Sequence, residues 1–352
     1  MRQIVLSLFF LYLFLHTYNA SQATLPLYYY NTTEKLKGMT LIAAQSPVSN
    51  HAMEDLHNIG VNAIAVLPYG FYKKGSPKIY SESFCFVSHC PFGSHTQDAI
   101  IELIKQAKNY NIQVMIKPHL WARWEWCSEM EFDSPAKWKA FEENYTDFLM
   151  EWVKLAAYME VEIFCIGSEM YNFVHTRPKF WKHLIQEIRA IYSGKLVYGA
   201  NWSDYQKVDL WDQVDYIGLN TYFPLLRDTT PSVDSLMAAW KPVVNKLDSF
   251  SKAWKRPILF TEWGYMNVDG CAFEHWKIEP KKKQLAGNEQ AQANAIEALL
   301  RTYMAEDWWA GGFQWKWYAD SLSTVCEDNI YKDYTPEHKK ATAVLQDLYC
   351  PL

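Results

Sequence analysis

Eight short apolar runs, separated by stretches with helical spacing, constrain this chain more than any other feature. They lie at Leu36–Ala44, Asn62–Pro68, Gln113–Trp121, Glu162–Glu169, Lys195–Trp202, Tyr216–Tyr222, Pro257–Glu262 and Gly311–Tyr318. A strand of a parallel sheet is buried on both faces, so it reads as a continuous apolar run. Helix signals fill the intervals. Gly60 stops a helix that starts near His51, and Ser94 and Gln97 stand at capping-box spacing. Ser134-Pro135 opens the next helix, where Trp138, Phe141, Tyr145, Phe148, Trp152 and Leu155 form a core-facing stripe. Further helices are expected at Pro178–Tyr192, briefly at Tyr205–Trp211, at Val233–Trp254 and at Asn288–Glu306. A last one, capped by Thr335-Pro336, runs to about Tyr349. Strands alternating with helices predict an α/β fold, a single (β/α)8 TIM barrel. A doubly wound open sheet is the alternative, but no Gly-rich phosphate loop follows the first run.

The N-terminus reads as a signal for export. Arg2 precedes the apolar run from Ile4 to Leu15, and Ala20 ends a segment suited to cleavage. Residues 1–20 are therefore expected to be removed, leaving one secreted domain over 21–352 with no membrane attachment. Seven cysteines suit an oxidising compartment, and the odd number leaves at least one unpaired. Cys165, inside the fourth run, is the expected buried thiol; Cys85 with Cys90 and Cys271 with Cys326 are the expected pairs. Asn31, Asn144 and Asn201 begin glycosylation sequons, the third at a strand end where modification is least expected.

A formal net charge of -5 and the lack of a long basic run argue against a nucleic-acid partner. Metal ligation is not indicated either: His-x-x-x-His and Cys-x-x-Cys spacings are absent, and no cofactor is expected. Monomer is the default. Aromatic residues are unusually dense, with 16 Trp, 23 Tyr and 18 Phe, and flat rings both fill cores and stack on sugars.

Connections from helix to strand are tight, whereas three of those from strand to helix are long: Tyr69–Gly93, Met266–Gly287 and Ala319–Thr335. Barrel enzymes build their sites on that side. Two of the runs end there in an acid, Glu169 after the fourth and Glu262 after the seventh. A carboxylate pair on one rim is what glycosidic cleavage needs: one acid attacks the anomeric carbon while the other protonates the leaving oxygen. Retention of configuration requires the two to stand about 5 to 5.5 Å apart. Tyr222, at the end of the neighbouring sixth run, is placed to donate its phenol to Glu262.

The phrases Leu36-Lys-Gly-Met39, Val114-Met-Ile-Lys-Pro-His119, Ile166-Gly-Ser-Glu169, Tyr216-Ile-Gly-Leu-Asn-Thr-Tyr222 and Leu259-Phe-Thr-Glu-Trp-Gly-Tyr265 resemble glycoside hydrolase family 113. That family, the β-1,4-mannanases, lies within the retaining barrel superfamily called clan A. The resemblance implies Glu169 as acid/base, Glu262 as nucleophile and a polysaccharide or oligosaccharide as substrate. Most of the clan carries Asn just before the acid/base to hold the sugar 2-hydroxyl; here Ser168 stands there, as family 113 resembles it in doing. Asn201 or Asn220 is then expected to supply that contact. Trp315 and Trp317 divide between the barrel axis and the helix layer, with Trp315 the expected sugar platform. Lys117, His119, Trp121, Trp202 and Trp263 complete the expected substrate-binding set. Two alternatives stay open: the same chemistry on another β-glycan such as a glucan, and a carbohydrate-binding barrel without catalysis.

Overall fold

A computed structural model of the protein describes residues 34–42, 50–81, 96–122, 126–318 and 331–350. They belong to one compact unit, Thr32–Leu352. The expected signal segment, Asn31, Cys85, Cys90, Ser94 and Cys326 lie outside the described residues.

Eight parallel strands close into a barrel. In chain order they are β1 (Leu36–Ile42), β2 (Ala63–Val66), β5 (Gln113–Ile116), β7 (Ile163–Ser168), β8 (Lys195–Asn201), β9 (Tyr216–Asn220), β10 (Ile258–Trp263) and β11 (Trp309–Tyr318). Strand β1 pairs with both β2 and β11 and so closes the ring. Helices α1 (Asn50–Asn58), α2 (Gln97–Asn109), α3 (Pro135–Tyr158), α4 (Tyr171–Thr176), α5 (Pro178–Ile191), α6 (Val233–Trp254), α7 (His275–Ile278) and α8 (Glu289–Tyr303) surround it, followed by a last helix at Lys340–Tyr349. The expected helix at Tyr205–Trp211 is only a single 3-10 turn, Tyr205–Lys207.

Local chemistry explains most boundaries. Ser134 caps α3 by accepting from the Lys137 amide, with Pro135 at the first helical position, whose missing N–H costs nothing there. Helix α2 is capped by Thr96 rather than from Ser94: its hydroxyl accepts from Ala99 N at 3.3 Å. The third apolar run is not one strand. It breaks at Pro118, and its second half, β6 (His119–Ala122), pairs in parallel with β3 (Tyr69–Tyr72), which follows Pro68 in the same way. Antiparallel β4 (Ile79–Ser81) completes this small sheet above the barrel. Backbone bonds from Lys117 N to the Val66 carbonyl and from His119 N to the Pro68 carbonyl carry the ladder across the break.

Alternation along the strands sorts side chains into two cores. Ala63, Ala65, Met115, Ile163, Cys165, Val197, Leu259 and Phe313 fill the barrel interior, so Cys165 is the expected buried thiol. The helix layer holds the α3 stripe from Phe141 to Leu155, with Trp138 half-buried at its start. Each fully buried large apolar side chain contributes about 2 kcal/mol. Cys271 is a buried free thiol, which sets aside its expected pairing with Cys326.

Close strand packing leaves no room for side chains at some glycines. A Cβ on Gly218 of β9 would lie 2.1 Å from the Tyr198 carbonyl oxygen of β8. Gly218→Ala is therefore expected to destabilise the barrel by about 3 kcal/mol, read as a lowered urea unfolding midpoint at unchanged slope.

Candidate active site

Glu262 stands at the end of β10 because the strand is irregular there. The pairing of β10 with β9 shifts register between Phe260 and Glu262. Such a bulge re-aims the side chains that follow it. Glu262 faces the mouth of the barrel, and its neighbour Trp263 turns the other way into the helix layer. Trp263 is fully buried there against Gly312, so it is a core residue and not the expected sugar contact.

Two side chains donate to the Glu262 carboxylate and a third stands beside it. Lys117, which continues the inward parity of Met115 beyond β5, is completely buried and donates to Oε1; its ammonium also reaches the Thr261 carbonyl at 3.2 Å. His119 Nε2 lies 3.4 Å from the same oxygen, long for a hydrogen bond. Tyr222 donates its phenol to Oε2 at 3.1 Å, as expected. Burial by itself raises the pKa of Glu262, but the Lys117 ammonium overrides it, with help from His119, and brings the group down to about 2. Burial first, and the Glu262 charge second, push the Tyr222 phenol well above its ordinary value, so it stays a donor. Burial and then the Lys117 charge lower the pKa of His119.

Glu169 sits at the end of β7, beyond a register shift between Cys165 and Ser168. Its backbone is left-handed, φ 51°, a conformation uncommon for residues other than glycine and often found at sites with a function. Its own N–H is satisfied by the Gly199 carbonyl at 2.8 Å. Asn201 and Asn220 donate to Oε1 at 2.8 and 3.1 Å, and the Trp126 indole donates to Oε2 at 2.8 Å. Burial raises the pKa of Glu169, the nearby Glu262 charge raises it further, and the three donors only partly offset them. The two acids are thus pushed apart, one toward the ionised form and one toward the neutral.

A second layer keeps the amides in place. The Asn220 carbonyl oxygen accepts from the Thr261 hydroxyl at 2.8 Å, and the Asn201 carbonyl oxygen accepts from Ser203 N and Oγ at 3.0 and 2.9 Å. Each amide therefore presents its NH2 to Glu169. These side chains converge over Gly199, where a Cβ would come within 2.9 Å of Thr261 Oγ1 and 3.3 Å of Ser168 Oγ. The sequon residue Asn201 is engaged with Ser203 and with Glu169.

Both acids line one cleft of about 600 Å³, together with Trp126, Asn201, Trp202, Ser203, Tyr222, His275, Trp276, Glu279, Trp315 and Tyr334. Trp202 and Trp315 take the places expected of them at its wall. Residues 315 and 317 share a face under strict alternation, but the pairing of β11 with β1 is irregular between them. Trp317 is buried in the core, while Trp315 lies parallel to the His119 ring at 6.0 Å. Lys117 and Asn220, expected to touch substrate, are instead buried under the two carboxylates they hold. Trp121 stands on β6 of the small sheet, 44% exposed and edge-on to Phe71, away from the cleft lining.

Trp126, His275, Trp276, Glu279 and Tyr334 were not foreseen. They come from the segments following β6, β10 and β11, whose sequence carries no spacing signal beyond aromatic density. His275, its pKa lowered to about 4 by burial, packs on the Tyr222 ring at 4.2 Å.

Removing the ammonium leaves burial unopposed at Glu262. Lys117→Met is expected to bring the Glu262 titration from about 2 into or above the ordinary carboxylate range, measured by carboxyl carbon NMR across pH.

The family model for Glycoside Hydrolase Family 113 matches residues 43–339. Among solved structures, a GH113 β-1,4-mannanase in a complex shares 23% identity over 91% of this chain and 100% of its own, with a TM-score of 0.73. The GH113 β-mannanase AaManA from Alicyclobacillus acidocaldarius, in complex with ManMIm, shares 22% identity over 90% and 97%, with a TM-score of 0.74. A further GH113 β-1,4-mannanase structure shares 24% over 91% and 100%, with a TM-score of 0.72. No curated protein sequence matches the chain. The structural likenesses speak for the barrel; the family match, reaching across most of the chain, adds what the barrel carries. The chain belongs to glycoside hydrolase family 113 and is a glycosidase.

Proposed function

We infer that this glycosidase hydrolyses β-1,4-mannosidic linkages with retention of configuration, in two displacements. The observation that carries this reading is the pair of acids in one cleft with oppositely shifted pKa values. Glu262, its pKa brought down by Lys117, attacks the anomeric carbon, and Glu169, its pKa raised by burial and by the Glu262 charge, gives its proton to the departing oxygen. Esterification then removes the Glu262 charge that raised Glu169. The Glu169 carboxylate takes a proton from water as that water attacks the anomeric carbon and releases Glu262. Tyr222 keeps Glu262 oriented throughout.

Mannan as substrate is supported by the family and by the β-1,4-mannanase and β-mannanase names of the solved structures the chain resembles. The cleft volume lies in the range that buries ligands of several rings, which fits cleavage within a chain of sugars. The apolar run from Ile4 to Leu15 supports secretion, tested by N-terminal sequencing of protein recovered from the medium.

Proton NMR of the first product formed from a manno-oligosaccharide should show the β-anomer; an α-anomer would contradict retention. Glu262→Ala should lower kcat at least about a thousandfold. Glu169→Ala should cost about a hundredfold to ten-thousandfold on oligosaccharides, and less on aryl mannosides whose phenols leave without a proton. The pH profile has a definite sign. The wild-type acidic limb lies well below the ordinary carboxylate range, because Glu262 must lose its proton. The basic limb lies above that range, because Glu169 must keep its proton. Release of reducing ends from a mannan and glucan panel decides the sugar, and turnover of glucan alone would overturn the mannan reading.

A further inference from the structure

Tyr222 reaches Glu262 from beyond Asn220, the last residue of β9. The backbone beside it is tied down: Thr221 gives both its N–H and its hydroxyl to the Glu262 carbonyl, at 2.8 and 3.1 Å. Those bonds leave the Tyr222 ring free to turn about its own side-chain torsions. Its phenol bond, at 3.1 Å, is longer than usual for a hydroxyl donor and does not fix the ring by itself. The ring needs a backing of its own.

His275 supplies one. Its imidazole lies 4.2 Å from the Tyr222 ring, centroid to centroid, at 30°, closer than the usual range of about 4.5 to 7 Å. Tyr334 closes a triangle, 6.2 Å from Tyr222 and 6.3 Å from His275. Tyr334 is itself buried and fixed through its backbone. Its N–H donates to Asp333 Oδ1 at 2.9 Å, and its carbonyl accepts from Gln292 Nε2 at 3.1 Å. Burial brings the His275 pKa down to about 4, so the ring that meets the phenol is neutral.

The backbone is bent to deliver it. Glu274, just before His275, is left-handed at φ 42°, a conformation uncommon outside glycine. The residues leading up to it lie on the segment that follows Tyr222. Gly270 N donates to the Thr229 carbonyl and Leu225 N to the Ala272 carbonyl, each at 2.9 Å. The Arg227 guanidinium sits over the Phe273 ring, 4.2 Å from its centre. The segment leading on from Glu262 is thus laid against the one leading on from Tyr222. We propose that His275 is a positioning residue: it holds the Tyr222 ring at the angle from which the phenol donates to Glu262. This rests on the roles given above to Glu262 and Tyr222. Glu262 departs as a carboxylate when the glycosyl-enzyme is hydrolysed, and a phenol held at that carboxylate lowers the barrier to its release. The imidazole acts through the phenol alone.

The test is a double-mutant cycle on the purified full chain with a manno-oligosaccharide. His275→Ala is expected to lower kcat about tenfold and to change KM less than about twofold. The same change made on Tyr222→Phe, which has no phenol to hold, should lower kcat less than about twofold. His275→Phe, which keeps a flat ring, should recover most of the lost kcat. His275→Gln, polar but without a ring, should behave as the alanine variant does, and it takes that variant's place in the cycle if alanine prevents folding. An unchanged kcat, equal losses in the two backgrounds, or a loss confined to KM would overturn the assignment while leaving the mannosidase reading intact. A wild-type chain that cleaves no manno-oligosaccharide would remove that reading and the assignment with it.

Discussion

The contact between the buried ammonium of Lys117 and the Glu262 carboxylate is the constraint on which the rest of the site depends. Neither charge is tolerable there alone. A carboxylate desolvated at the barrel mouth is pushed toward its neutral form, and the ammonium beside it has no exposed surface either. The ammonium brings the Glu262 carboxyl down to about 2, and breaking such a buried pair from one side costs about 3–5 kcal/mol. The negative charge fixed in this way also raises the pKa of Glu169, second to burial. One ion pair therefore acts on both acids, directly on Glu262 and through its charge on Glu169.

Regular strands would not deliver this geometry. Glu262 and Trp315 each lie next to an irregularity in the barrel register, and Glu169 lies just beyond another. Each irregularity changes which side chain faces the opening. Glycine at 199 lets Ser168, Asn220 and Thr261 crowd into one hydrogen-bonded layer beneath Glu169. The barrel supplies rigidity, and its departures from regularity supply aim.

Much of this was legible in the residues. Apolar runs announced the barrel, and acids at the ends of the fourth and seventh runs announced the pair, because burial and rim position leave a simple periodic trace. Tyr222 followed from strand adjacency. Register irregularities leave no such trace. The residues alone place Trp263 at the cleft, whereas it faces the core, and place Lys117 and Asn220 against sugar, whereas they are buried beneath Glu262 and Glu169 and donate to them. The run from Gln113 to Trp121 looked unbroken, although Pro118 divides it between two sheets and carries Trp121 away from the cleft. Trp126, His275 and Trp276 were hidden for a different reason: long segments reach the site through tertiary packing, which spacing along the chain does not encode.

In the proposed mechanism a Glu262 oxygen bonds the anomeric carbon as the glycosidic bond breaks, while Glu169 handles protons. Incubation with a 2-deoxy-2-fluoro-β-mannosyl fluoride, followed by peptide mass spectrometry, tests this directly. A fluorosugar ester on Glu262, formed in proportion to lost activity, is the predicted result. A label on another residue, or full turnover to an inverted product with no labelled peptide, would contradict it.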